Sequence, residues 1–138
     1  MNNKQILIAE DEEISRSNLE HVLKKEGYSL VAVENGSEAV RQLQEVQFDL
    51  VITDLKMQDI DGMTLLDIIK QNHPETEVLM ITGFATVSNA VEAMHRGAYS
   101  YLPKPYKIDE LRILVKRALE KRYLNQEVHR LRSQLKET

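Results

Sequence analysis

The sequence predicts a doubly wound α/β domain, a parallel sheet of five strands in the order 2-1-3-4-5 with helices on both faces. Five short apolar runs recur along the 138 residues, and each is followed by a segment of helical period. The runs are almost continuously apolar rather than alternating, the pattern of strands covered on both sides. Right-handed crossovers leave few topologies for such a chain. The order 2-1-3-4-5 places the first and third runs, apolar enough to be central, inside the sheet.

The first strand is Ile6–Ala9; Ile14, Leu19, Val22 and Leu23 then recur at helical spacing until Gly27. Tyr28–Val33 is the second strand, and Asn35 with Gly36 turns into a helix carrying Ala39, Val40 and Leu43. Phe48–Thr53 is the third. A loop from Asp54 to Gly62 leads to a helix with Leu65, Leu66, Ile68 and Ile69, which ends before Pro74. Val78–Thr82 is the fourth strand, and Val87, Ala90, Val91 and Met94 line the helix that Gly97 stops. Ala98–Leu102 is the fifth, and a last helix begins near Ile108.

Composition narrows the function. The chain has no cysteine, which excludes disulfides, thiolate metal sites and thiol nucleophiles. No apolar stretch is long enough for a membrane span and the N-terminus lacks a secretory signal, so a cytoplasmic protein is expected. Residues 116–138 hold seven Lys or Arg against three Asp or Glu, a local +4, leaving −8 on residues 1–115 of the total −4. An acidic body repels nucleic acid phosphates, and no direct nucleic acid binding is expected.

In doubly wound sheets ligands bind outside the carboxyl ends of the strands. Glu10 and Asp11 follow the first strand, Asp54 the third and Lys104 the fifth, while Thr82 ends the fourth. Carboxylates drawn together repel, and a hard divalent cation relieves them; three oxygen ligands suit Mg2+ that keeps some waters, with phosphate as the anion such an ion attracts. Asp54, at the mouth of a buried strand, could itself be the nucleophile that takes a phosphoryl group. Lys104 would supply a point charge and Thr82 a hydroxyl for the phosphoryl oxygens. Pro103 and Pro105 bracket Lys104, and Lys104–Pro105 is a candidate cis peptide. Tyr101, in the last strand, could point outward beside the fourth helix and swing between exposed and buried positions as Thr82 moves. Glu12 and Glu13 read as ordinary charges on a first helical turn, and His21, His73, His95 and His129 as structural or surface residues. There is no glycine-rich phosphate loop and no serine elbow.

The last helix continues beyond the body. Two segments are expected, a domain over residues 1–120 and a helical linker over 121–138. Leu124, Val128, Leu131 and Leu135 repeat at spacings of four, three and four, a short coiled-coil seam through which two copies could dimerise. In a parallel pair Glu127 would face Arg132 of the partner helix.

LIAEDEE at the first strand, VITDLKMQDIDGM around Asp54, MITGFA around Thr82 and GAYSYLPKPY around Lys104 together resemble the receiver domain of bacterial two-component response regulators, over residues 4 to about 120. The resemblance implies a flavodoxin-like fold with Asp54 as phosphoacceptor, charged from a sensor histidine kinase. Glu10, Asp11, Asp54 and the backbone carbonyl of Lys56 would hold Mg2+. Thr82 and Lys104 would contact the phosphoryl group, and Tyr101 would be the aromatic switch. Catalysis would be limited to the domain's own phosphorylation and dephosphorylation. ITGFATVSNAVEAMHRGAYSYLPKP followed by a helical linker looks most like sigma-54-dependent, nitrogen-regulator-like activators. In these an ATPase and a DNA-binding domain, both absent from this sequence, follow the receiver and control transcription. Position 10 is Glu where the family usually has Asp, Gln58 replaces a common proline, Ser100 a frequent Asp and Tyr106 a frequent Phe. The alternative is a phosphorylation-independent dimerisation or adaptor module that has kept the fold.

Overall fold

The computed structural model describes residues 4–137. The elements run β1 (Gln5–Ala9), α1 (Glu13–Lys25), β2 (Ser29–Val33), α2 (Gly36–Glu45), β3 (Leu50–Thr53), α3 (Gly62–Asn72), β4 (Glu77–Thr82), α4 (Val87–His95), β5 (Ser100–Pro103) and α5 (Ile108–Glu137). The four strand pairings are all parallel, in the order β2-β1-β3-β4-β5. Fold class and strand order are those the sequence predicts.

Alternation along the strands sends side chains to two separate cores. Ile6 and Ile8 of β1 pack with Leu50, Ile52, Leu79 and Ile81 against Leu19 and Leu23 of α1 and Leu111, Val115 and Ala118 of α5. Leu7 and Ala9, with Val51, Val78 and Met80, face Leu43 of α2, Leu65, Leu66 and Ile69 of α3, and Ala93 of α4. The three central strands are thus buried on both faces, which explains their unbroken apolar sequence.

Helix starts are set locally. Asn35, Asp61 and Thr86 each accept a hydrogen bond from the N–H three residues on, at 2.8, 2.9 and 3.0 Å, capping α2, α3 and α4. Gly27 and Gly97 follow α1 and α4 with φ of 91° and 106°, the left-handed turn that glycine makes without strain.

Three strands start later than the sequence predicts, β2 by one residue at Ser29 and β3 and β5 by two. Phe48 is buried, yet its carbonyl accepts the Thr76 hydroxyl at 2.8 Å instead of joining the ladder, so β3 starts at Leu50. The Ala98 N–H is used to close α4 on the Ala93 carbonyl, and β5 starts at Ser100. The last helix passes residue 120 without a break. Of the expected segments, residues 1–3 and Thr138 lie outside the described residues.

Candidate functional site

Parallel strands place all their carboxyl ends on one rim. That topology brings Glu10 and Asp11 (after β1), Asp54 (after β3), Thr82 (end of β4) and Lys104 (after β5) together. Glu10 and Asp54 are buried and Asp11 is exposed. One carboxylate oxygen from each of the three acids lies within 4.8 Å of the other two. Lys104 Nζ stands 2.6 Å from Glu10 Oε1 and 3.1 Å from Asp54 Oδ2. Three carboxylates against one ammonium leave the cluster net negative, and every donor is an oxygen. Such a set fits a hard divalent cation.

The two central partners shift each other's titration. Burial pushes the Glu10 carboxyl up from its ordinary value, and hydrogen bonds from Lys104, the Glu12 N–H and the Ser15 hydroxyl only partly offset it. For Lys104 burial alone would lower the ammonium's pKa, but the hydrogen bonds and charges of Glu10 and Asp54 outweigh it and the net shift is upward. The two side chains face each other largely sheltered from water. Lys104 is also fixed through its backbone: its N–H donates to the Thr82 carbonyl at 2.8 Å, and the Lys104–Pro105 peptide is cis.

The remaining groups close around Asp54. The Lys56 N–H donates to Asp54 Oδ1 at 3.3 Å. An open cavity of about 470 Å³ in front of it is lined by Asp11, Asp54, Lys56, Phe84 and Lys104. The Lys56 ammonium lies 4.3 Å from the centre of the Phe84 ring, at the edge of that cavity. Thr82 is fully buried and its hydroxyl accepts the Phe84 N–H at 3.1 Å. Tyr101 is half-buried rather than pointing freely outward. Its ring packs on the α2/α3/α4 side of the sheet, and burial raises the phenol's pKa. The hydroxyl is enclosed without a hydrogen bond of ordinary geometry, with the Thr86 backbone and the Asn89 amide as its polar neighbours.

Several supporting residues are not evident from strand ends. Ser15 donates to Glu10 Oε1 at 2.9 Å, and Arg16 Nη1 donates to the Glu10 carbonyl at 2.9 Å. Both come from the first turns of α1, five and six residues after Glu10. A Cβ on Gly62 would collide with the backbone of Asp54 and Leu55, and one on Gly36 with Ile60. These two glycines let the loop after Asp54 lie flat against the body. Asp59 adopts a left-handed φ of 62° there, its carboxylate accepting the N–H groups of Ile60 and Ser37. Glu12, read from sequence as a plain surface charge, places its carboxylate 3.8 Å from Lys104 Nζ while remaining mostly exposed. None of the four histidines joins a metal-type cluster among the described residues.

Residues 6–116 match the response regulator receiver domain family. A putative NtrX-like response regulator of Rickettsia felis is 38% identical over 137 residues, covering 98% of this chain and 29% of that protein. The nitrogen assimilation regulatory protein NtrX of Azorhizobium caulinodans is 37% identical over 129 residues, 92% of this chain and 28% of that one. The chain therefore spans less than a third of these relatives. Among solved structures, NtrX from Brucella abortus in complex with ADP superposes with a TM-score of 0.89 at 36% identity, over 94% of this chain and 30% of that one. The beryllofluoride-activated NtrC4 receiver domain dimer gives 0.82 at 35% identity, over 86% and 98%. With four ordered motifs, the parallel sheet and the acidic cluster in agreement, the chain belongs to the response regulator receiver domains, the phosphoacceptor modules of phosphorelays, in their NtrX/NtrC-like class.

Proposed function

We propose that Asp54 accepts a phosphoryl group from the phosphohistidine of a sensor kinase, in a Mg2+-dependent reaction, and that the product changes how the chain associates and signals. The observation that carries this reading is the Lys104 ammonium, held 3.1 Å from Asp54 Oδ2 at the mouth of the crevice. An Asp54 oxygen attacks phosphorus, the P–N bond breaks, and its electron pair leaves with the imidazole nitrogen, which then takes a proton. Lys104 shifts its hydrogen bond from Asp54 to a phosphoryl oxygen. Thr82 turns its hydroxyl from the Phe84 N–H to another phosphoryl oxygen, and the Tyr101 ring moves with the space this opens. Glu10, Asp11, Asp54 and the Lys56 carbonyl would hold Mg2+, which when bound neutralises charge around the transferring group. Water later cleaves the acyl phosphate, releasing phosphate and restoring Asp54. The domain catalyses its own turnover and no other reaction.

Association is proposed to run through the tail, residues 121–138, with residues 1–120 as the receiver. Leu124, Val128, Leu131 and Leu135 are exposed along α5. Within one chain Glu127 pairs with Arg130 at 2.9 Å, and its carboxylate has acceptor sites to spare for a partner's Arg132 in a parallel pair. Helix α4 exposes Val87, Val91 and Met94 on one face, an apolar surface for the switched state. The full-length protein is proposed to be a cytoplasmic transcription regulator with ATPase and DNA-binding output domains like those its relatives' class implies. In support, no described helix is long and apolar enough to cross a membrane.

Incubation with Mg2+ and acetyl phosphate, followed by mass spectrometry, tests the chemistry. A labile adduct one phosphoryl group heavier is expected, and none in Asp54→Asn. An unchanged mass in the unmodified protein overturns the reading in favour of a phosphorylation-independent adaptor.

A further inference from the structure

The rim opposite the phosphoacceptor holds a second set of charges, with Arg122 and Glu77 buried and Lys121 about half exposed. Arg122 of α5 is 5% exposed, and its Nη1 lies 3.0 Å from Asp49 Oδ1 just before β3. Asp49 Oδ2 in turn accepts the Gln5 N–H at the start of β1, at 2.8 Å. The neighbouring Lys121 Nζ lies 3.5 Å from Glu77 Oε1, and Glu77 is a 2% exposed acid at the start of β4 whose other cation, Lys70, is 4.0 Å away. Consecutive residues of one helix thus meet acids at the starts of two adjacent strands, β3 and β4, and Asp49 links the first of them to β1. Two of these strands, β3 and β4, lead at their far ends to Asp54 and Thr82.

The clamp also sets which way the helix faces. Leu111, Val115, Ala118 and Arg122 are its buried side, spaced four, three and four. Leu124, Val128, Leu131 and Leu135 repeat the same spacing thirteen residues further on, about 220° around an axis that turns about 100° per residue. Arg122 ends the buried stripe, and the apolar stripe begins on the opposite side.

We propose that Lys121 and Arg122 form an ionic clamp that fixes the direction in which the tail of α5 leaves the sheet, holding its apolar stripe outward to receive a second copy of this chain. Occupancy by a second copy rests on the proposed function; the clamp does not. Arg122 reaches Asp49 through one guanidinium nitrogen, and a charge pair this sheltered from water is costly to pull apart. A surface pair would leave the helix free to fray or swing.

The chain has no cysteine, so two introduced ones label it uniquely. Spin labels go on Gln44→Cys in α2 and Ser133→Cys in the tail, with labelled chains diluted into an excess of unlabelled protein. Pulsed dipolar spectroscopy then reads the width of the body-to-tail distance distribution. Asp49→Asn with Arg122→Gln removes both charges yet keeps an acceptor for the Gln5 N–H. It is expected to broaden the distribution at least twofold, whereas Arg117→Gln, an exposed charge on the same helix, leaves it unchanged. Arg122→Lys, which keeps the charge but shortens its reach to Asp49, is expected to fall between and serves if the double variant does not fold. Equal widths in all variants that fold overturn the clamp. Sedimentation of the unmodified chain is read separately: a monomer at every concentration removes the second copy, while the label widths still decide the clamp.

Discussion

Replacing Lys104 by methionine keeps the length and the apolar stem but removes the ammonium shared by Glu10 and Asp54. The side chains of Lys104, Glu10 and Asp54 are 18%, 2% and 6% exposed, so the pair is neither a surface contact nor fully sealed. Breaking a sealed pair costs about 3–5 kcal/mol and a surface one about 0–1 kcal/mol. A crevice open on one side falls between, at about 2 kcal/mol. With an unfolding entropy of roughly 2.1 cal/mol/K per residue, this lowers the Tm of a chain of 138 residues by about 7 °C. The assay is thermal unfolding by circular dichroism, in chelator and in Mg2+. In chelator the variant carries three converging carboxylates with no cation, and the full loss is expected. In Mg2+ the loss should largely disappear, because an ion at a hundred times its Kd contributes about 2.7 kcal/mol. The unmodified protein should gain less, since Lys104 already occupies two of the same oxygens. A Lys104→Met variant that melts in chelator at the temperature of the unmodified protein refutes the view that Lys104 holds the carboxylates together. So does one that Mg2+ leaves no better off.

Gly62→Ala should cost about 1–3 kcal/mol, as overpacking does, because its new methyl meets backbone at Asp54 and Leu55 rather than a side chain that can yield. The same displacement of Asp54 should slow labelling by acetyl phosphate, and urea titration beside a labelling time course checks both. Arg16→Ala should lose about 1 kcal/mol with the hydrogen bond to the Glu10 carbonyl and weaken Mg2+ binding, read by titration calorimetry; equal Mg2+ affinity would show that Arg16 does not shape the loop. Removing residues 125–138 should weaken association in sedimentation without lowering Tm. Cutting after Ala118 should lower both, because it also takes away the buried Leu119 and Arg122.

Which of these features the sequence exposes follows from how each is encoded. Glu10, Asp11, Asp54, Thr82 and Lys104 are legible as a group because each ends an apolar run, and parallel strands carry such ends to one place. The ties among them are not, since whether Lys104 reaches Glu10, Asp54 or solvent depends on side-chain torsions fixed only by packing. Ser15 and Arg16 look like ordinary polar positions on an amphipathic helix; their role emerges once α1 is laid against the loop after β1. Gly62 could be read as a turn, but its contact with the Asp54 carbonyl spans eight residues of irregular chain. Lys121 and Arg122 belong to a stretch of sequence rich in Lys and Arg. Their partners, Asp49 and Glu77, sit at strand starts more than 40 residues away in sequence. Apolarity places Phe48 and Ala98 in strands, but it cannot tell a buried residue in the ladder from one whose backbone bonds elsewhere.

The sheet also acts as a partition. Among the described residues no side chain belongs to both cores, because neighbours along a strand point to opposite faces. A change of volume at Leu23 or Val115 is absorbed beneath α1 and α5, and one at Leu43 or Ile69 beneath α2 and α3, with hydrogen-bonded backbone between. Sequence drift in one half therefore need not be compensated in the other, and paired substitutions drawn from the two halves should add in their effects where pairs within one half do not. The helices that carry the tail and those that carry the exposed α4 surface can change independently, while the strand ends between them keep the phosphoacceptor rim in place.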